Sequence, residues 1–224
     1  TCFSFPSGAK DPDLFPELCD EVNQTGNGID EDCNPETVCY VLRGEGVSNL
    51  LTPIQRNETA GDFYGWTMTQ QSPTTGFEQE EGIVFMLYED GSGDTHLVIT
   101  LDVIFGLETT PIPGSTLKAE GGSLSLSISG AEEMEYDVKD DETGDPGTSD
   151  TFNPLSSGSA LVIWNWGSAT GDGLVLEGLN QEFCMDFQIT SHDEGIDTVY
   201  AHKSESEILS TTETLTPFSI CGEQ

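Results

Sequence analysis

From Val38 to the C-terminus, segments recur in which apolar side chains occupy every second position. Across residues 96–105, Leu97, Ile99, Leu101, Val103 and Phe105 fall on one face, and across 123–129 Leu124, Leu126 and Ile128 alternate with four serines. Phe183, Met185, Phe187 and Ile189 alternate in the same way with Cys184, Asp186, Gln188 and Thr190. A strand turns successive side chains to opposite faces, so these segments read as strands with one wet face. Residues 83–89 and 95–105 flank Asp90-Gly91-Ser92-Gly93-Asp94, which predicts a hairpin closed by a short Gly-rich turn. Further strands are expected at 63–69, 134–138, 160–166, 174–177, 197–202 and 215–220. About ten strands separated by Gly, Pro, Asp and Ser turns, with no amphipathic run of helical length, predict an all-β fold: an antiparallel β-sandwich or jelly roll with scarce helix.

Residues 1–40 break this pattern. Pro6, Pro12, Pro16 and Pro35 interrupt any helix, and Cys2, Cys19, Cys33 and Cys39 cluster there. The expected organisation is an irregular, disulfide-linked N-terminal segment over 1–40 and a β-sandwich domain over 41–224. The six cysteines, with Cys184 and Cys221 completing the set, form no C-x-x-C and no Cys/His cluster. They read as disulfides of an oxidising compartment rather than as a thiolate metal site. Six thiols allow fifteen pairings. The expected arrangement is two bridges within the N-terminal group and one between Cys184 and Cys221. The chain opens at Thr1 rather than Met, which suggests a mature product whose leader has been removed, and the expected location is extracellular or the cell surface. The longest apolar run, Ile83 to Tyr88, is far shorter than the roughly 20 residues that a membrane-spanning helix needs. No membrane span is expected.

Charge narrows the partners. In 224 residues, 41 Asp and Glu face 6 Lys and Arg, for a formal net charge of −35. Lys10, Arg43, Arg56, Lys118, Lys139 and Lys203 are scattered along the chain, whereas phosphate-binding surfaces cluster their cations. Nucleic acid and anionic membrane surfaces are therefore disfavoured. So many carboxylates repel one another in a compact chain, and bound divalent ions or a salty medium would offset that repulsion.

The most specific local feature is Gly26-Asn27-Gly28-Ile29-Asp30-Glu31-Asp32-Cys33-Asn34, preceded by Pro16-Glu17-Leu18-Cys19-Asp20. Asp30, Asp32 and Asn34 present hard oxygens at alternate positions, and Asp20 and Asn27 can add more, a donor set suited to calcium. It is not an EF-hand, because counting from Asp30 the sixth position is Pro35 rather than Gly and the twelfth is Val41 rather than Glu. Residues 16–34 resemble the Cys- and Asp-rich metal-binding motif of bacterial secreted and outer-surface (MopE-like) proteins, which runs roughly P-E-x-C-D-G-x-D-x-D-C-D/N-G. This chain has extra residues between Cys19-Asp20 and Asp30, and Pro35 where the family has Gly. The resemblance implies an extracellular, disulfide-pinned acidic loop for calcium, with copper associated with one family member. Copper prefers imidazole or thioether ligands, and His96, His192 and His202 are far from this loop in sequence, so calcium is the expected cofactor. Weaker candidates are Asp90, Ser92 and Asp94, for which a plain hairpin turn is the favoured reading, and Asp140, Asp141 and Asp145 in the acidic stretch 137–150, for which a solvated loop is the favoured reading.

Catalytic signatures are sparse. The chain contains no G-x-S-x-G, H-E-x-x-H or G-x-x-x-x-G-K-[ST], and carboxylate pairs cannot be singled out among so many acids. His192 and His202 read as sheet-surface residues on neighbouring strands. Trp164 and Trp166 share one face of a strand, so they form either a platform for a glycan or part of the core, and core packing is favoured. Asn23-Gln24-Thr25 and Asn57-Glu58-Thr59 match the N-glycosylation acceptor pattern. The expected function is a structural extracellular subunit, not an enzyme, that self-associates into a fibre or layer by strand addition. Thr1–Phe5 and 215–220 are the candidate donor strands. The alternative is a secreted carbohydrate-binding module or glycan-acting enzyme.

Overall fold

Alternating burial along 183–190 reproduces the alternation of the sequence: Met185, Phe187 and Ile189 are buried while Cys184, Asp186, Gln188 and Thr190 face solvent. In the computed structural model the described residues are 38–44, 47–65, 73–79, 81–102, 122–131, 135–137, 151–156, 158–166, 171–177, 179, 183–192, 196, 198–211 and 217–223. They form β1 (Cys39–Gly44), β2 (Val47–Leu51), β3 (Ile54–Gln55), α1 (Ala60–Tyr64), β4 (Gly82–Glu89), β5 (Thr95–Asp102), β6 (Gly122–Ala131) and β7 (Glu135–Asp137). They continue as β8 (Thr151–Ser156), β9 (Gly158–Trp166), β10 (Gly171–Glu177), β11 (Phe183–His192), β12 (Thr198–Ser204), β13 (Glu207–Thr211) and β14 (Phe218–Glu223).

The strands make two sheets, ordered β2-β1-β14-β11-β6-β9-β8 and β13-β12-β4-β5-β10-β7. Between them lies the main core, including Ile83, Phe85, Leu87, Leu97, Ile99 and Leu101 from the second sheet and Leu124, Leu126, Trp164, Met185, Phe187 and Ile220 from the first. The Phe85 ring meets Phe187 and Phe218 edge-on, with centroids 5.3 and 4.9 Å away. Trp164 Nε1 donates to the Gly173 carbonyl at 3.3 Å, which joins the sheets through a buried polar contact and satisfies the indole. The expected all-β sandwich is thus the fold.

Several expectations are corrected. Two pairings are parallel, β12 and β3 both joining β4, so one edge of β4 is shared between two short neighbours. The second sheet does not have a wet outer face throughout. Val84, Met86, Tyr88, Val98 and Val175 point away from the main core into a second one, closed by Ile54, Ala60, Phe63 and Tyr64. This explains the uninterrupted apolar run of β4, since a strand buried on both faces has no polar positions to alternate with. Residues 63–69 were expected to be a strand, yet Phe63 and Tyr64 belong to α1. The Thr59 hydroxyl accepts from the Asp62 amide at its start, and Gly65, at φ 71°, ends it in the left-handed conformation. Of the segment 215–220, expected as a donor strand, residues 218–220 belong to β14, which is hydrogen-bonded on both sides, by β1 and β11, and so is already paired within its own sheet. His192 and His202 sit in different sheets, and His202 is buried against Phe77 rather than on a surface.

Gly173 marks the closest approach in the second core. A Cβ there would lie 2.1 Å from the Ile99 carbonyl oxygen and 2.9 Å from the Tyr64 hydroxyl, so only hydrogen fits. The edge strand β8 carries Pro154, a residue tolerated where one side of the ladder is open.

Candidate functional site

The β4–β5 hairpin closes as the sequence predicts, with Glu89 paired to Thr95 and the Asp90 amide donating to the Asp94 carbonyl at 3.0 Å. Its turn is organised by one carboxylate. Asp90 Oδ1 accepts from the amides of Ser92 at 2.8 Å and Asp94 at 3.1 Å, the pattern by which an aspartate imitates a backbone turn. Ser92 and Asp94 therefore offer this carboxylate their N–H groups, and the residues expected as alternate oxygen ligands build the turn. Asp90 Oδ2 lies 3.5 Å from His96 Nε2, both side chains being largely buried. Desolvation pushes the Asp90 carboxyl upward, but the Ser92 and Asp94 amides and the adjacent His96 outweigh it and hold the group below the ordinary aspartate range.

Beside this pair, Tyr88 stacks on Phe63 with centroids 4.2 Å apart and donates its hydroxyl to the Glu58 carbonyl at 2.7 Å. Burial, reinforced by the charges of Glu58 and Asp90, pushes its phenol up to about 12. Arg56 reaches across to Glu205 at 2.7 Å, tying the segment before α1 to the turn between β12 and β13. Among the described residues, no hydroxyl or thiol is hydrogen-bonded to either ring nitrogen of His96. Among the described residues, no group of three or more His, Cys, Asp or Glu side chains converges closely enough to hold a metal ion.

No family model matches the chain, and no curated protein or solved structure matches it. Function must therefore be argued from the residues themselves.

The expected calcium loop, Asp20, Asn27, Asp30, Asp32 and Asn34, lies outside the described residues, as do Asp140, Asp141, Asp145, Cys2, Cys19 and Cys33. Cys184 and Cys221 form the expected disulfide, bridging paired positions of β11 and β14. Cys39, in β1, is also disulfide-bonded. The glycan platform is corrected at Trp164, which has no exposed surface because its indole fills the core between the sheets. Trp166 ends β9, and its side chain lies outside the described residues. Asn57 is exposed in the bend before α1. His96 was passed over because it is remote from the N-terminal acidic loop. The available signal was its position one residue inside the strand that follows the Asp90–Asp94 turn.

The terminal strands of the two sheets, each with one neighbour among the described strands, are the other surface feature. β13 ends the order of the second sheet and is hydrogen-bonded only to β12 among the described strands. Its Ile208, 37% exposed, is a large apolar side chain open to solvent. No helix among the described residues is long and apolar enough to cross a membrane.

Proposed function

We propose that the protein is an extracellular structural subunit that self-associates into a surface fibre or layer by strand addition, stabilised by disulfides and calcium. The observation that carries this reading is that β13 has no second neighbour among the described strands. An edge strand presents a row of unpaired N–H and C=O groups, and soluble proteins commonly blunt such edges with charge or proline. Here the strand reads Glu-Ile-Leu-Ser-Thr, with Ile208 exposed and no proline. The occupant is a second copy of this chain, whose proposed donor is Thr1–Phe5, where the sequence alternates around Cys2. Main-chain and apolar contacts suit a subunit with a net charge of −35, which bulk electrostatics would keep apart, and calcium at the acidic loop would reduce that repulsion. The bridged Cys184–Cys221 pair is in keeping with an oxidising, extracellular setting.

Sedimentation and electron microscopy of the intact chain in calcium and moderate salt test the proposal. Oligomers or filaments are expected, and Ile208→Lys should return them to monomer without lowering the melting temperature. A purely monomeric wild-type species under these conditions overturns it.

A further inference from the structure

The rim of the second sheet beside the β4–β5 turn carries a buried imidazole facing a carboxylate. His96 is 10% exposed at its side chain; Nδ1 has no hydrogen-bond partner, and Nε2 meets only the Asp90 carboxylate, at an ion-pair distance too long for a good hydrogen bond. Burying polar atoms in this way is costly unless something satisfies them. Asp90 has its Oδ1 fully used by two amides, leaving Oδ2 as the oxygen that looks at His96 Nε2 from 3.5 Å. That separation matches two donors on one ion: metal bonds of about 2.0–2.1 Å in tetrahedral geometry place neighbouring ligand atoms roughly 3.4 Å apart.

Strand register supplies a third group. Leu97 pairs with Leu176, so the same antiparallel ladder carries Glu177 to the position across from His96, on the face that also bears Val98 and Val175. Glu177 is half-buried at the end of β10. Asp90 in the turn that follows β4, His96 on β5 and Glu177 on β10 thus lie along one face of the sheet rim, the Glu177 carboxylate not converged on the pair in this structure, an arrangement no spacing in the sequence reveals. The donor set, one imidazole and carboxylates, favours zinc-class ions over calcium, which takes oxygen ligands alone.

We propose that His96 Nε2 and Asp90 Oδ2 bind a divalent transition-metal ion of the zinc class, with Glu177 swinging in from β10 as a third ligand and solvent completing the shell. The site is independent of the acidic N-terminal loop and of the assembly reading. It pins the hairpin turn to the neighbouring strand β10, as a metal staple at the rim of the sandwich.

The test is a zinc titration of the full chain, stripped beforehand with chelator, followed by nitrogen-15 resonances of the three histidine rings and by thermal unfolding. The His96 ring should respond first and saturate at one equivalent, ahead of His192 and His202, and excess calcium should leave it unmoved. Affinity should fall at least tenfold in His96→Gln, and also fall in Asp90→Asn and Glu177→Gln, while His202→Gln keeps the wild-type response. A His96 ring that does not respond to zinc in the wild-type protein overturns the proposal, whatever the variants do. So does a zinc-dependent rise in melting temperature that His96→Gln retains in full.

Discussion

At the scale of single residues, Asp90 connects local geometry to pH. Its carboxylate accepts two turn amides and faces His96, and its folded pKa is depressed below the ordinary value of 3.8. A group depressed on folding stabilises the native state fully above its unfolded pKa and loses that contribution as pH falls through the folded one. Acid unfolding of the wild type should therefore steepen below the ordinary aspartate range. Asp90→Asn should lower stability near neutrality and flatten that acid limb. Equal acid limbs in the two proteins, compared by denaturant midpoints across pH, would show that the turn carboxylate does not contribute. Trp164 illustrates the opposite outcome at this scale. Its place on β9 was legible from alternation, but whether that face met a ligand or the other sheet depended on Gly173 lying opposite.

At the scale of elements, α1 shows how a short helix overrides a strand pattern. Five residues cannot sustain a helix by propensity alone, since nucleation is unfavourable and short helices depend on packing and caps. Thr59 satisfies the Asp62 amide, Gly65 closes the far end by donating to the Gly61 carbonyl, and Ala60, Phe63 and Tyr64 bury into the second core. Thr59→Ala should cost about 1 kcal/mol of stability. Chemical denaturation checks this. The short strands β1, β2, β3, β8 and β13 were not anticipated, as two to six residues without clear alternation carry little periodic signal. The hairpin of β4 and β5 was anticipated because its turn and both flanks are contiguous in the chain.

At the scale of the whole molecule, the excess of carboxylates governs behaviour in solution. Calcium that binds the native state should raise the melting temperature by mass action, more than monovalent salt of equal ionic strength does. Melting curves in chelator, calcium and concentrated sodium chloride separate specific sites from screening. Full substitution of calcium by sodium chloride would leave the acidity as an adaptation to a salty medium. The calcium arm and the zinc titration are independent, since the ligand sets differ. Covalent ties act at this scale, among them the bridge that joins β11 to β14 in the middle of the first sheet. The residues it pairs were named from the sequence, as the two cysteines outside the N-terminal group.

By itself the sequence determined what neighbouring residues can settle: the all-β class, the alternation of the longer strands, the Asp90 turn and the scarcity of helix. These follow from backbone geometry and turn chemistry within a few residues. Only the tertiary structure decided that residues 54–64 cover the second sheet, that two strands join β4 in parallel, that β14 lies inside its own sheet, and that His96 faces Asp90 with Glu177 across the ladder. Each of these depends on packing or pairing between segments that no local period relates. The physical reason is that burial and register are properties of the assembled sheets, and a strand's own pattern does not say which partner will cover it.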